Sequence, residues 1–327
     1  MNRDNDRIRG TIIRLCSSPY YIAATAALAF LFFVTGLSFV GIVISSAIFA
    51  VTLLLADNER YCFPPLLTMI FQLSFVGHDA DNELQYFSSP AAITFFAVAV
   101  VIMAVALIVY FVKIYKTRQR KTDLFRRPMF WAFVALFAAT ILGGLFYKPY
   151  DFSSLLYAVG IGGMFLAFYA AFAFLCDKTE QTRIYLARTM VSVMLLIAAE
   201  LAAFYAFNFA DYGIMSSDWK AVMHIGWGIS NTIGAMLVML IPAAYYLINK
   251  NIDAPFHYFT VFVAITATYF TMSRTALVVG APMCVILTII SFVKNKSLRP
   301  LLGVMSACFV LAYVIFAIAI ILTGKID

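Results

Sequence analysis

Arg274 is the residue whose setting in this chain most clearly points to chemistry. It stands between two long apolar runs, residues 256–273 and residues 275–293. Eighteen residues of helix span about 27 Å, roughly the thickness of a bilayer core. The runs therefore predict a helical hairpin with Arg274 at its tip, close to a membrane surface. A guanidinium held there could bind the phosphates of a lipid carrier through two parallel hydrogen bonds. The alternative is an arginine that only reaches the headgroup layer.

Glu200 is the one carboxylate that lies deep in an apolar run, between Ala199 and Leu201. Placing an ionisable group at such a depth costs about 2.5–3.5 kcal/mol on insertion scales. Two interpretations stay open for it. Glu200 is either a structural residue, protonated or hydrogen-bonded, or a functional base or partner to a cation at the membrane surface.

A second polar cluster opens the apolar run 224–248. His224 is either an interfacial histidine or an acid–base group, since imidazole titrates near neutral pH. Asn231 follows within a run that also contains Gly226, Gly228 and Gly234. Small residues permit a close approach by a neighbouring helix or by a ligand, and Asn231 needs hydrogen-bond partners.

The elements that must position these residues are membrane-spanning helices. The chain has 327 residues, of which 64% are hydrophobic and only 12% are charged, against about 25% charged in soluble domains. Alternating period-2 segments, which would indicate an outer-membrane barrel, are absent. The fold class predicted is all-α, a polytopic helical membrane protein with about eleven spans: 19–37, 39–56, 61–77, 90–112, 128–147, 152–176, 189–208, 224–248, 255–272, 275–293 and 300–323.

Proline placement supports these boundaries, because most of the ten prolines fall in a span's first turn, where no backbone N–H is needed. Only Pro242 and Pro282 fall inside spans, where they should kink their helices.

The distribution of Lys and Arg predicts that the N-terminus lies inside and the C-terminus outside. Residues 1–18 are then a cytoplasmic tail, and the outer segments hold only four of the 23 basic residues: Lys148, Lys220, Arg274 and Lys325. The net charge of +7 is thus mainly a topology signal and gives no support for nucleic-acid binding. The five cysteines and three histidines form no metal-binding spacing, so neither a metal nor another cofactor is expected.

Residues 226–293 resemble the O-antigen ligase/polymerase superfamily of bacterial membrane proteins. The resemblance lies in a glycine-rich approach to Asn231, Pro242 lower in the same helix, a short turn at residues 249–251, and the Ser273–Arg274 pair at the outer end of the next helix. The broader ligase-like core would cover about residues 189–323. The chain departs from the family pattern where Thr275 replaces a glycine and where the pattern around Asn231 is reduced to Ser-Asn-Thr.

The resemblance implies a fold like that of multi-span lipid-donor glycosyltransferases. Such enzymes transfer a glycan from undecaprenyl pyrophosphate to a lipid or glycan acceptor hydroxyl, without a metal, on the outer face of the bacterial inner membrane. Arg274 would neutralise the pyrophosphate, and Glu200 and His224 are further catalytic candidates. Lys220, Asn231 and Ser273 are the candidate substrate-binding residues.

In this family a further span and a large outer loop with catalytic Arg and His residues follow the hairpin. The chain instead ends four residues after its eleventh predicted span, at residues 324–327, so a truncated sequence is expected. The second interpretation is a transporter or flippase for a lipid-linked or small anionic substrate. Such a protein would be expected to show paired buried charges, broken helices and repeats. The third interpretation is a purely structural membrane component.

Overall fold

The computed structural model describes residues 3–56, 59–74, 90–117, 124–146, 179–212, 224–225 and 228–322, together with scattered positions between 152 and 173. It divides into two compact units. One unit contains residues 1–107 and 183–327, and the other contains residues 108–182.

Eleven α-helices account for most of the described residues. They are α1 Arg3–Ser17, α2 Pro19–Val34, α3 Ser38–Leu55, α4 Phe63–Ser74, α5 Pro90–Thr117, α6 Pro128–Leu145, α7 Glu180–Tyr212, α8 Ser230–Asn249, α9 Ala254–Phe270, α10 Arg274–Lys294 and α11 Arg299–Leu322. Short 3₁₀ turns lie at Glu59–Cys62, Leu124–Arg126 and Lys296–Leu298. The antiparallel strands β1 (His224–Ile225) and β2 (Gly228–Ile229) form a small hairpin before α8.

Seven of the helices in the described part of the chain are long and apolar enough to cross a membrane, or eight if the bent pair α1–α2 forms one span. The protein is therefore a multi-pass helical membrane protein. The number of eleven spans and the N-in, C-out topology stay predictions. The predicted span 61–77 is described only as far as Ser74, and the span 152–176 only at scattered helical positions.

The proline pattern is confirmed where the structure describes it. Pro19 and Pro128 are the first residues of α2 and α6, and Pro255 is the second residue of α9. Pro242 and Pro282 lie inside α8 and α10, which both continue past them.

The core of the larger unit is centred on α8, the candidate spanning helix with the largest buried share. Ile233, Leu237 and Ile241 follow one another along α8 at intervals of four residues and are fully buried. They belong to one apolar cluster with Ile197 of α7 and Ala264 of α9. This spacing gives α8 a continuous apolar stripe, so α8 positions the helices on either side of it.

Hydroxyl groups connect the four last helices within this apolar interior. The Tyr245 hydroxyl of α8 hydrogen-bonds Thr288 of α10 at 2.7 Å and donates to the carbonyl of Cys284 at 3.1 Å. The Tyr258 hydroxyl of α9 lies 2.6 Å from Ser306 of α11 and 3.5 Å from Thr288. Because hydrocarbon offers no competing partners, such bonds hold spanning helices in register.

Replacing Tyr258 by Phe should lower the stability of the bundle by about 0.6–1.7 kcal/mol, the range found for hydrogen bonds between spanning helices. The purified protein would show this as a lower thermal midpoint in detergent. Tyr20→Phe is the matched control, because Tyr20 is 81% exposed. Equal midpoints for the two variants would contradict a stabilising role for the Tyr258 hydroxyl.

In the described part of the smaller unit, aromatic packing and a close contact at Gly162 hold the chain together. Phe133 of α6 stacks on Tyr169 with ring centroids 4.8 Å apart. A Cβ atom added at Gly162 would collide with the side chains of Thr140 and Phe137. Gly162 is therefore a packing glycine. The glycine-rich residues 160–163 also lack the strand-to-helix context of a nucleotide-binding loop.

Candidate functional site

The turn between α9 and α10 is tight, as the hairpin prediction requires. Met272 adopts a φ of 55°, a left-handed conformation that is uncommon for a residue other than glycine. The Thr271 hydroxyl donates to the carbonyl of Thr268 at 2.7 Å, and it accepts from the Ser273 N–H at 3.3 Å. Thr271 is fully buried, so these bonds fix the turn from within the protein.

Ser273 is the N-cap of α10. Its hydroxyl accepts a hydrogen bond from the Ala276 N–H at 3.3 Å, and its side chain is fully buried. Serine is a preferred residue at this position because its oxygen satisfies one of the free N–H groups of the first helical turn. Ser273 therefore has a structural role here, and contact with a substrate stays a prediction for it.

Arg274 is the first residue of α10, and its side chain is exposed. Within the described part of the chain it makes no ion pair. A cation at this end of a helix is disfavoured, because the helix dipole carries a partial positive charge there. A bound anion would reverse this cost, since the guanidinium and the helix N-terminus would both attract it.

The N-terminal end of α8 lies against the same turn. A Cβ atom at Gly234 would come within 2.7 Å of the Ala276 Cβ and within 3.0 Å of both the Ser273 Cβ and the Thr271 hydroxyl oxygen. The close helix approach predicted for Gly234 is therefore confirmed. Asn231, one helical turn nearer the N-terminus of α8, has an exposed side chain. The structure thus brings Asn231, Ser273 and Arg274 to one end of the bundle.

Contacts along α7 show which end this is. Near its start, the Tyr185 hydroxyl donates to the carbonyl of Cys16 in α1 at 2.9 Å. Near its other end, the Tyr205 hydroxyl donates to the carbonyl of Phe270 in α9 at 2.5 Å. The two tyrosines are twenty residues apart, which is about 30 Å of helix. The Arg274 turn and α1 therefore lie at opposite ends of the larger unit.

Glu200 lies deeper in α7, about 7.5 Å along the helix axis from Tyr205. It is fully buried, and neither of its carboxyl oxygens has a hydrogen-bond partner among the described residues. A carboxyl group without a hydrogen-bond partner is costly to bury. The described residues therefore give no support to the interpretation of Glu200 as a structural residue hydrogen-bonded within the protein. Glu200 is also absent from the surface on which Arg274 is exposed.

The two remaining candidates give less information. His224 lies in β1, paired with Ile229 of β2. The prediction that a helix starts at residue 224 is wrong, because α8 begins only at Ser230. Glycine is a poor helix former, which is consistent with Gly228 lying in strand β2 rather than in a helix. Lys220 lies outside the described residues.

An apolar cavity, which the sequence pattern did not reveal, lies between α7 and α9. Its volume is about 430 Å³, and its lining includes Ala198, Leu201 and Ala202 of α7 and Phe262 and Ala267 of α9. Tyr205 and Phe270 also line it, so the cavity reaches the end of the bundle that carries the Arg274 turn. Small residues at Ala198 and Ala202, four positions apart, are the only sequence signal that could have indicated it.

No family model, no curated protein and no solved structure matches this chain. The conclusion that the fold itself supports is a multi-pass helical membrane protein with an exposed arginine at a tight helical turn.

Proposed function

We propose that the protein is an O-antigen ligase-like glycosyltransferase of the bacterial inner membrane. It would transfer a glycan from undecaprenyl pyrophosphate to a hydroxyl of a lipid or glycan acceptor on the outer face. The observation that carries the proposal is Arg274, an exposed arginine at the N-terminus of α10.

Three features make this end of the bundle suitable for a pyrophosphate. The Arg274 guanidinium can form two parallel hydrogen bonds with phosphate oxygens. The N-terminus of α10 adds a partial positive charge, and that of α8 adds another beside it. Asn231 supplies an exposed amide near the start of α8, which could donate to the same anion or to a sugar hydroxyl.

In the reaction, the acceptor oxygen attacks the anomeric carbon while the bond from that carbon to the pyrophosphate oxygen breaks. The electron pair leaves with undecaprenyl pyrophosphate, and the acceptor proton passes to a base. Arg274 would stabilise the growing charge on the leaving group, which is usually the largest catalytic contribution. His224 is the better candidate base. Glu200 is fully buried, and this argues against its direct contact with an acceptor.

The cavity between α7 and α9 gives the lipid part of the donor a place to bind. It is almost wholly apolar and reaches Phe270, four residues before Arg274. A polyprenyl chain in the cavity would therefore have its headgroup at the level of the turn. Its volume of about 430 Å³ could accommodate only a section of so long a chain, so the remainder would stay in the bilayer.

The leaflet in which the donor accumulates tests the proposal without knowledge of the acceptor. In cells that lack the gene, we expect the lipid-linked glycan to accumulate on the outer leaflet. There, a membrane-impermeant glycosidase added to spheroplasts would digest it. Accumulation on the cytoplasmic leaflet, protected from the glycosidase, would instead indicate a flippase, and unchanged glycan levels would contradict both functions.

Glu200 favours a second candidate function, a transporter or flippase. A carboxyl group inside a spanning helix is a common element of proton-coupled transport, and Glu200 has no hydrogen-bond partner among the described residues. Glu200→Gln separates the candidates, because the amide keeps the size of the side chain but cannot exchange a proton. For the transferase we expect transfer rates within about threefold of wild type. A proton-coupled transporter should lose its uptake by tenfold or more. Uptake assays in proteoliposomes and transfer assays in cells would measure the two.

A further inference from the structure

Helix α1 precedes α2, an apolar helix of 16 residues, and the part of α1 from Arg9 to Ser17 is bent by 79° from α2. Its sequence, Arg3–Ser17, contains four arginines and two aspartates. The charged residues make α1 costly to place in hydrocarbon, whereas α2 lies within the predicted span 19–37. With α2 crossing the bilayer, a nearly perpendicular α1 runs along the membrane surface.

One side of α1 is attached to the protein. The Arg9 Nε donates to the carbonyl of Leu55 at the end of α3, at a distance of 3.3 Å. The carbonyl of Cys16 accepts from the Tyr185 hydroxyl, and the Cys16 side chain is only 2% exposed. These contacts hold α1 at the level where α3 ends and α7 begins, so it is a fixed element rather than a free tail.

Away from these contacts, basic and apolar side chains are exposed together. Arg14 is exposed, and the adjacent Leu15 is 62% exposed. Tyr20, in the first turn of α2, is 81% exposed. Arg7 and Arg3 precede Arg14 by seven and eleven residues, and helical periodicity places all three positions on one side of α1. Arginines beside leucine and tyrosine at the start of a span are typical of the interfacial layer of a bilayer.

We propose that α1 is an interfacial helix that binds anionic phospholipid headgroups in the leaflet on which it lies. The Arg14 side of α1 contacts the phosphates, while Leu15 inserts at the boundary between headgroups and acyl chains. The proposal rests on the exposed arginines together with the exposed apolar side chains. Arginines alone would equally suit a soluble acidic partner. Such a partner would not explain why Leu15 and Tyr20 are also exposed, where α1 meets the start of α2. The proposal does not depend on the transferase function.

The test is hydrogen–deuterium exchange of the full chain in lipid nanodiscs. One set contains phosphatidylcholine only, and the other contains phosphatidylcholine with about a third phosphatidylglycerol. We expect amides of residues 9–17 to exchange about tenfold more slowly in the anionic nanodiscs, and we expect raised salt to remove this difference, because surface electrostatics are screened. Equal exchange in both lipids, or protection that salt does not change, would overturn the proposal.

Variants localise the effect. Arg7→Gln with Arg14→Gln should abolish the lipid-dependent protection. Lys294→Gln with Lys296→Gln removes two exposed lysines elsewhere and should leave it intact. Exchange in the core of α8 reports whether each variant is folded. If the lysine pair removed the protection as fully as the arginine pair, the effect would be one of general charge and the assignment to α1 would be wrong. The salt series on the wild-type protein gives an answer even if the arginine variant does not fold.

Discussion

Arg274→Ala is expected to reduce glycan transfer by about 100-fold or more while the protein stays folded. Removing one preorganised donor from the position where negative charge develops typically costs a factor of 10²–10³. Arg274→Lys should retain part of the rate, because an ammonium group keeps the charge but loses the two-pronged geometry. The measurement is the amount of glycan transferred in cells that carry each variant at equal protein level.

Stability should change in the opposite direction to activity. Arg274 is a cation at the positive end of the α10 dipole, so its removal should leave the thermal midpoint unchanged or raise stability by a few tenths of a kcal/mol. Arg299→Ala is the matched control. Arg299 is likewise an exposed arginine that begins a helix, α11, after a short turn at the other end of α10. It donates to the carbonyl of Phe292 at 2.7 Å, so its loss should cost some stability and leave transfer nearly unchanged.

Two results would contradict the assignment of Arg274. The first is an Arg274→Ala variant that loses transfer only in proportion to a lost thermal midpoint, since this would indicate a structural role. The second is the wrong orientation in the membrane. A cysteine placed at position 274, in a variant without the native cysteines, should react with a membrane-impermeant thiol reagent added from outside the cell. Reaction only after the membrane is opened would place Arg274 in the cytosol, where the proposed donor headgroup is not presented.

Much of the helical architecture could be predicted, because the bilayer imposes a length on apolar runs. The predicted ends 255–272 and 275–293 differ from those of α9 and α10 by no more than two residues. A proline at the start of α9 and the isolated Arg274 mark these helix ends in the sequence itself. The ends can therefore be predicted without knowing which helices pack against α9 and α10. Gly234 could be identified as a contact residue for the same reason, since a residue without a side chain in an apolar helix usually admits a neighbour.

Other features depend on tertiary contacts that have no local pattern. The burial of Ser273 results from its cap to Ala276 and from the approach of α8, and neither follows from the Ser-Arg pair alone. The cavity between α7 and α9 exists because two helices diverge beside small residues, and a list of apolar residues does not show this. The distribution of basic residues predicts a cytoplasmic tail at residues 1–18, but it does not show that Arg9 and Cys16 attach α1 to α3 and α7.

The second large effect is expected at Gly234, which lets α8 contact the turn that presents Arg274. In Gly234→Ala, the new Cβ would lie 2.7 Å from the Ala276 Cβ and 3.0 Å from the Ser273 Cβ. Both are attached directly to the backbone, so the turn must move away. Overpacking of this kind costs about 1–3 kcal/mol, against about 1 kcal/mol gained by replacing a helical glycine with alanine. We therefore expect a net loss of stability of about 1 kcal/mol. We also expect a larger loss of transfer, on the order of tenfold to 100-fold, because displacing a catalytic group by about 1 Å can cost a factor of 100.

A second substitution makes this prediction specific. Ala276→Gly removes the nearest clashing atom, so the double variant Gly234→Ala, Ala276→Gly should recover a large part of the lost transfer, although Ala276→Gly alone should not improve it. Gly303→Ala is the control, because among the described residues a Cβ there would meet only Phe292, at an ordinary distance of 3.8 Å. It should keep full transfer and gain up to about 1 kcal/mol of stability from its helix propensity. If Gly234→Ala behaved like Gly303→Ala, the contact between α8 and the turn would not control the position of Arg274. Some other contact would then have to hold the Arg274 turn in position.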